Sequence, residues 1–242
     1  MKGIVIYLLL VSFLLIGILA CHSKGGEEEK VDYKALRKDM VEHQIKARGV
    51  KDENVLKAML TVPREEFVPE SIKLRAYDDC PLPIGDGQTI SQPYIVALMT
   101  ELLKLKKGDR VLEVGTGSGY QAGILAEMGC DVYTIEIIET LSLKAQEVIK
   151  KLGYNNVHFK IGDGFVGWEE YAPYDAVIVT CAPGEIPKPL IDQLAEGGRL
   201  VIPVGEHLPQ DLVLAIKENG KIKEYPITSV AFVPMTGIAQ DK

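Results

Sequence analysis

Apolar residues along the chain fall into two regimes. From Val31 to about Leu105 they recur at helical spacing around an irregular middle, and Leu36, Met40, Val41 and Ile45 share one stripe. Asp52 is placed to cap a second helix running through Leu60, which Pro63 closes. Pro63, Pro69, Pro81 and Pro83, with Gly85-Asp-Gly87, make residues 62–92 a long, shaped loop. Phe67, Val68, Ile84 and Ile90 punctuate it with apolar anchors and argue against disorder. Pro93 suits the first turn of a helix through Leu103.

From Asp109 onwards, apolar runs of strand length alternate with helical stripes. The pattern predicts strands near 110–115, 131–136, 156–161, 174–180 and 198–204, with helices near 119–128, 139–152 and 187–195. Such alternation implies a parallel sheet covered on both faces. Asn219-Gly220, between Leu212–Ile216 and Lys221–Ile227, predicts an antiparallel hairpin at the sheet edge. The expected fold is α/β, a doubly wound, mostly parallel sheet with that edge hairpin and an N-terminal helical and loop region.

Composition narrows the class. With 47% apolar and 25% charged residues, the 242-residue chain is globular. Its expected divisions are a leader at residues 1–21, an acidic linker at 22–32, a substrate-contacting region at 33–105 and a ligand-binding core at 106–242. A formal net charge of −7 removes the cationic footprint that nucleic-acid binding needs, so no nucleic-acid partner is expected. His22, His43, His158 and His207 are scattered and no Cys pair has ligand spacing, so no metal site is expected. Cys80, Cys130 and Cys181 read as buried or half-buried free thiols. A monomer is expected.

The first residues form a separate unit. Lys2 precedes an apolar run from Ile4 to Ala20 that ends at Cys21, and the polar stretch Ser23–Lys30 follows. A basic start, an apolar core and a small residue before the break describe a secretory signal. Ile18-Leu-Ala-Cys21 also loosely resembles the bacterial lipoprotein cleavage box, and a run of about 17 residues reaches the lower limit for a spanning helix. A misassigned start codon is the third reading. Export or membrane tethering through residues 1–21 alone is the expectation, with a cytoplasmic location as the alternative.

The chemistry concentrates in Val111-Leu-Glu-Val-Gly-Thr-Gly-Ser-Gly119, a strand that breaks into alternating glycines. Gly115, Gly117 and Gly119 let the backbone turn and approach a ligand without a Cβ in the way. The spacing is not the dinucleotide GxGxxG, and Glu113 would repel a pyrophosphate. An acid there suits a cationic ligand, and S-adenosylmethionine carries a sulfonium, an ammonium and no phosphate.

In a doubly wound sheet the ligand lies across the carboxyl ends of the strands. The second strand ends in Glu136, placed to bond both hydroxyls of a ribose. The third runs into Gly162-Asp-Gly164, where Asp163 in a tight turn could accept from an adenine amino group beside Gly164. The fourth ends at Thr180-Cys-Ala-Pro183, on the same crevice. Singly, Glu136 has a plainer reading as a helix cap and Asp163 as a turn residue. At successive strand ends, each suiting one part of one ligand, they point to S-adenosylmethionine.

The chain resembles the protein-L-isoaspartate (D-aspartate) O-methyltransferases over nearly all of residues 36–235. The resemblance is carried by Gln44–Gly49, Val62-Pro-Arg-Glu-Glu-Phe-Val-Pro69, Pro81–Gly85, Gly87-Gln-Thr-Ile-Ser-Gln-Pro-Tyr94, Val111–Gln121, Gly162–Gly164, Tyr174–Thr180 and Phe232-Val-Pro234. The block Gly87–Tyr94 separates this family from others that share the cofactor fold. The resemblance implies a class I, Rossmann-like methyltransferase that uses S-adenosylmethionine to esterify the free α-carboxylate of L-isoaspartyl and D-aspartyl residues in damaged proteins and peptides. The ester then closes to a succinimide. It implies that Ser91 is the catalytic serine. Thr89, Ile90 and Ser91 would clamp the carboxylate, and the plainer reading of Ser91 is an N-cap for the helix at Pro93. Two features depart from the family pattern. One is Cys181, where alanine is common, and the other is the N-terminal apolar segment.

Overall fold

The computed structural model describes residues 31–240; the leader and most of the linker read from the sequence lie outside them. The chain enters through α1 (Tyr33–Asp39), which continues as a π-helical stretch at Met40–Ile45 and a 3₁₀ turn at Lys46–Arg48. Met40, Val41 and Ile45 are fully buried, as their stripe predicts, but Leu36 is on the outside. Arg37 takes the inward place instead. Its guanidinium donates to both oxygens of Glu65 and to the Tyr77 hydroxyl, so the charge is buried with a complete set of partners.

The second helix, α2 (Glu53–Thr61), starts where the sequence indicates. The Asp52 carboxylate accepts from the backbone N–H of Asn54 at 2.9 Å and of Val55 at 3.2 Å, two of the donors a helix start leaves free. Its inner face buries Val55, Leu56, Ala58 and Met59. Full burial is worth about 1.5–3 kcal/mol for each of the larger three.

The proline-rich stretch is more regular than a loop. Leu82–Gly85 (β1) and Gln88–Ile90 (β2) pair as an antiparallel hairpin, with Leu82 opposite Ile90. Its turn residues Asp86 and Gly87 have φ of 52° and 71°, the positive values that a two-residue hairpin turn of the I′ kind requires. This hairpin delivers residues 89–91 to the start of α3 (Pro93–Leu103).

The sheet then follows: β3 (Arg110–Val114), α4 (Tyr120–Glu127), β4 (Asp131–Glu136), α5 (Glu139–Lys151), β5 (Val157–Ile161), β6 (Tyr174–Val179), α6 (Lys188–Asp192), β7 (Leu194–Val204), β8 (Gln210–Glu218) and β9 (Lys221–Val230). The seven strands lie in the order β5-β4-β3-β6-β7-β8-β9. All pairs from β5 to β7 are parallel, and β8 and β9 are antiparallel additions. The chain winds outwards from β3 in one direction and from β6 in the other. The crevice between their carboxyl ends is thus the switch point where such sheets bind ligands.

The expected helix at 187–195 is shorter, and β7 begins at Leu194. Lys217 of β8 donates to the carbonyls of Ile191 and Leu194 at 3.0 and 2.7 Å, which satisfies that helix end early and lets the strand start. Asn219 and Gly220 both have positive φ and turn β8 into β9, as expected.

Both faces of the sheet are covered. Val111, Val132, Ile178 and Val201 pack with Met99 and Leu103 of α3 and Leu125 of α4. Leu112, Tyr133, Val177 and Leu200 pack on the other face with Leu190 of α6. The N-terminal layer is not a detached lobe. Met40, Met59, Leu82 and Ile90 share a core with Tyr120 and Ile124 of α4 and Leu141 and Ile149 of α5, which fixes the β1–β2 hairpin against the glycine-rich turn.

Candidate active site

Val114 ends β3 and the chain turns at once, because Gly115, Gly117 and Gly119 all adopt positive φ. At Gly115 a side chain is also excluded by space, since a Cβ would lie 2.5 Å from Thr180 Oγ1. That hydroxyl sits close for a reason. It donates to the carbonyl of Gly115 at 2.6 Å and so fastens the turn to the end of β6. Gly115 and Thr116 donate backwards to the Ile135 carbonyl, tying the same turn to β4.

Glu136, at the end of β4, is almost fully buried. One carboxylate oxygen accepts from the Gly117 N–H at 2.8 Å and the other from the Ile138 N–H at 2.9 Å. Each oxygen has a second lone pair, so the group is oriented by the protein and still has acceptor capacity for a diol.

One cleft brings together Thr89, Ile90 and Ser91 from the hairpin, Gly115 and Gly117 from the turn, Glu136, Gly164 and Thr180. Three predicted residues fall outside its lining. Gly119 faces α5, where a Cβ would come within 3.0 Å of Ala145. Asp163 is turned away, with one oxygen accepting from the Phe165 N–H and the other from the Ile238 N–H, both at 2.8 Å. Both of its oxygens are held by main chain and help to build the turn. Gly164 beside it does reach the cleft, and a Cβ there would strike Val114 at 2.3 Å.

Glu113 is the third. It lies inside β3 with no exposed surface, and neither carboxylate oxygen has a hydrogen-bond partner among the described residues. Burial pushes its pKa up to about 8; the nearby Thr134 hydroxyl opposes that shift and the neighbouring Glu136 carboxylate adds to it. It therefore sits behind the glycine turn and not as a wall of the cleft.

Ser91 precedes α3, but the cap position belongs to Gln92, whose side chain makes no capping bond. The Ser91 hydroxyl is therefore not consumed by the helix. A second depression adjoins the cleft and shares Thr89, Ser91, Thr180 and Val233 with it. Pro81, Ile95, Pro209 and Phe232 line it further, and no charged side chain does. Sequence reasoning did not single out Met235 and Thr236, which close the cleft from the C-terminal side. Only Phe232-Val-Pro234 lay near them as a signal.

The cleft fits S-adenosylmethionine: a diol acceptor at Glu136 and glycines where a Cβ would collide. A family model for protein-L-isoaspartate(D-aspartate) O-methyltransferase matches residues 35–240. The chain belongs to this family.

Protein-L-isoaspartate O-methyltransferases of Opitutus terrae and Geobacter metallireducens are 55% and 53% identical to it. The first match covers 83% of this chain and 86% of the relative, the second 86% and 96%. Among solved structures, one protein-L-isoaspartate O-methyltransferase superposes with a TM-score of 0.77 at 34% identity, over 83% of this chain and 66% of that longer one. A Plasmodium falciparum structure, described as a beta-aspartate methyltransferase in complex with S-adenosyl-L-homocysteine, superposes with a TM-score of 0.72 at 30% identity, over 86% and 99%. The cofactor of this protein-L-isoaspartate(D-aspartate) O-methyltransferase family member is S-adenosylmethionine. Among the described residues no helix is long and apolar enough to cross a membrane, and no cluster of metal-ligating side chains occurs.

Proposed function

We infer that this chain is a protein-L-isoaspartate O-methyltransferase, which esterifies the α-carboxylate left free when a peptide bond runs through an aspartyl side chain. D-aspartyl residues are proposed as further acceptors, and closure of the ester to a succinimide as its fate. The observation that carries the reading is that the Thr89–Ser91 segment and the cofactor-side residues Gly115, Gly117, Glu136 and Thr180 line one cleft.

S-adenosylmethionine supplies a methyl group on a sulfonium; an acceptor oxygen bonds to that carbon as the carbon–sulfur bond breaks, leaving the neutral thioether. The acceptor carboxylate is already ionised at neutral pH, so no strong general base is required. Its charge falls as the ester forms, so hydrogen-bond donors gain little by stabilising it further. They act by orientation, holding one oxygen in line and at near-attack distance. The Ser91 hydroxyl and the backbone N–H groups of Thr89–Ser91 are the proposed clamp. Glu136 is proposed to hold the ribose, the glycine turn to approach the amino-acid portion, and Gly164 to leave room for the adenine. The peptide on either side of the acceptor is proposed to lie over the uncharged depression between Ile95 and Phe232. Residues 1–21 are proposed to decide the compartment and to leave the chemistry untouched.

The test is methyl transfer from labelled S-adenosylmethionine to two peptides that differ only in isoaspartyl or aspartyl linkage. Label confined to the isoaspartyl peptide is the expected result. Equal labelling of both, or of neither, would overturn the reading.

A further inference from the structure

The segment Val62-Pro-Arg-Glu-Glu-Phe-Val-Pro69 has no role in the site as described, yet it contains the most deeply buried cation of the described chain. Arg64 has no exposed surface. Its Nε donates to the Ala76 carbonyl at 2.7 Å and its Nη2 to the Ser91 carbonyl at 2.8 Å. Nη1 has no partner. The guanidinium lies 4.8 Å from the ring centroid of Tyr120, the residue that opens α4 directly after the glycine turn and lines the cofactor cleft.

No carboxylate of the described residues forms an ion pair with Arg64. The adjacent Glu65 is already committed to Arg37 and the Tyr77 hydroxyl. A buried charge compensated only by carbonyls and an aromatic face is an expensive way to fill space, and an apolar side chain would fill it better. What the guanidinium offers in return is geometry. Its planar fork joins two carbonyls from separate segments while its face registers on a ring. One of those carbonyls belongs to the proposed clamp residue, and the ring belongs to the cofactor side of the cleft.

We propose that Arg64 is the positioning residue of the acceptor loop: it fixes the Ser91 carbonyl relative to Tyr120 and thereby sets the Ser91 hydroxyl and its neighbouring N–H groups at attacking distance from the methyl donor. This rests on the reading of residues 89–91 as the carboxylate clamp. In-line transfer depends steeply on distance, so a slack loop lowers turnover while leaving the cofactor site intact.

The experiment compares Arg64→Lys, Ser91→Ala and the double variant for kcat and KM with an isoaspartyl peptide, S-adenosylhomocysteine affinity by calorimetry, and melting temperature. A lysine keeps the charge but lacks the planar fork that holds the two carbonyls at a fixed spacing. For Arg64→Lys, kcat is expected to fall about 100-fold with S-adenosylhomocysteine affinity within about twofold of the parent. The double variant should lose little beyond Ser91→Ala, because both changes act on one loop. Unchanged kcat in folded Arg64→Lys, fully additive losses, or cofactor affinity falling in step with kcat would each overturn the proposal. Unchanged turnover in Ser91→Ala alone would instead remove the serine from the clamp and leave Arg64 acting on the loop's N–H groups. Arg64→Gln, which carries no buried ammonium, serves if the lysine variant does not fold. Failure of both to fold would mark the cation as structural only.

Discussion

Two residues of the site separate what an acid does from what a hydroxyl does. Glu113 is protonated in the folded chain up to about pH 8, whereas its ordinary value is 4.5. The folded state therefore binds the extra proton between those values. The stability this gives is complete below about pH 4.5 and is lost as pH rises towards 8. Glu113→Gln should abolish that slope and leave the variant more stable than the parent at pH 8 by on the order of a few kcal/mol, with little difference at pH 5. Urea unfolding at the two pH values measures it, and parallel pH profiles would mean that Glu113 titrates normally. Ser91→Ala belongs to the other kind. It should lower kcat about 100-fold and leave cofactor affinity within about twofold, because the hydroxyl orients the acceptor only. Calorimetry beside steady-state kinetics would reveal equal losses in both, which would contradict the clamp.

At the scale of elements, glycines show why some of the fold was legible and some was not. Asn219-Gly220 between two apolar runs announces its hairpin, and β8 and β9 turn there. Asp86-Gly87 carries the same signal, yet the flanking strands are only four and three residues long and are interrupted by Pro83, so the pattern reads as a loop. The two kinds of glycine also fail differently. Gly87 has open space around it and φ of +71°, so Gly87→Ala should cost about 1 kcal/mol through backbone strain alone. Gly164 has no positive φ, but its Cβ would strike Val114. Gly164→Ala should cost about 1–3 kcal/mol and weaken S-adenosylhomocysteine binding as well, since Val114 also lines the cleft. Thermal unfolding with and without S-adenosylhomocysteine separates the cases: the ligand should raise the melting temperature of Gly87→Ala as much as that of the parent and that of Gly164→Ala less.

At the scale of the whole molecule, the strand-end acids were legible because a parallel sheet puts its carboxyl ends on one edge, so position along the chain translates into position in space. The partners of those acids were not. Nothing local to Gly162-Asp-Gly164 indicates that Asp163 accepts from Ile238. The pairing arises because the C-terminal segment folds back. Ala182 donates to the Val233 carbonyl and Met235 donates to the Ala182 carbonyl, both at 2.8 Å, and Ile238 then reaches Asp163. That course lays Val233, Met235 and Thr236 along the cleft. Asp163 thus holds the end of the segment that lines the cleft. Asp163→Ala removes the acceptor of the Ile238 N–H and so a side-chain tie of that segment. It should raise amide exchange at residues 236–240 and weaken S-adenosylhomocysteine about 10-fold, the equivalent of one lost hydrogen bond of about 1.4 kcal/mol. Exchange detected by mass spectrometry, with calorimetry on the same sample, tests both halves. Weaker binding with unchanged exchange would mean that the carboxylate contacts the adenine directly, and faster exchange with unchanged binding would mean that the C-terminal segment does not close the site.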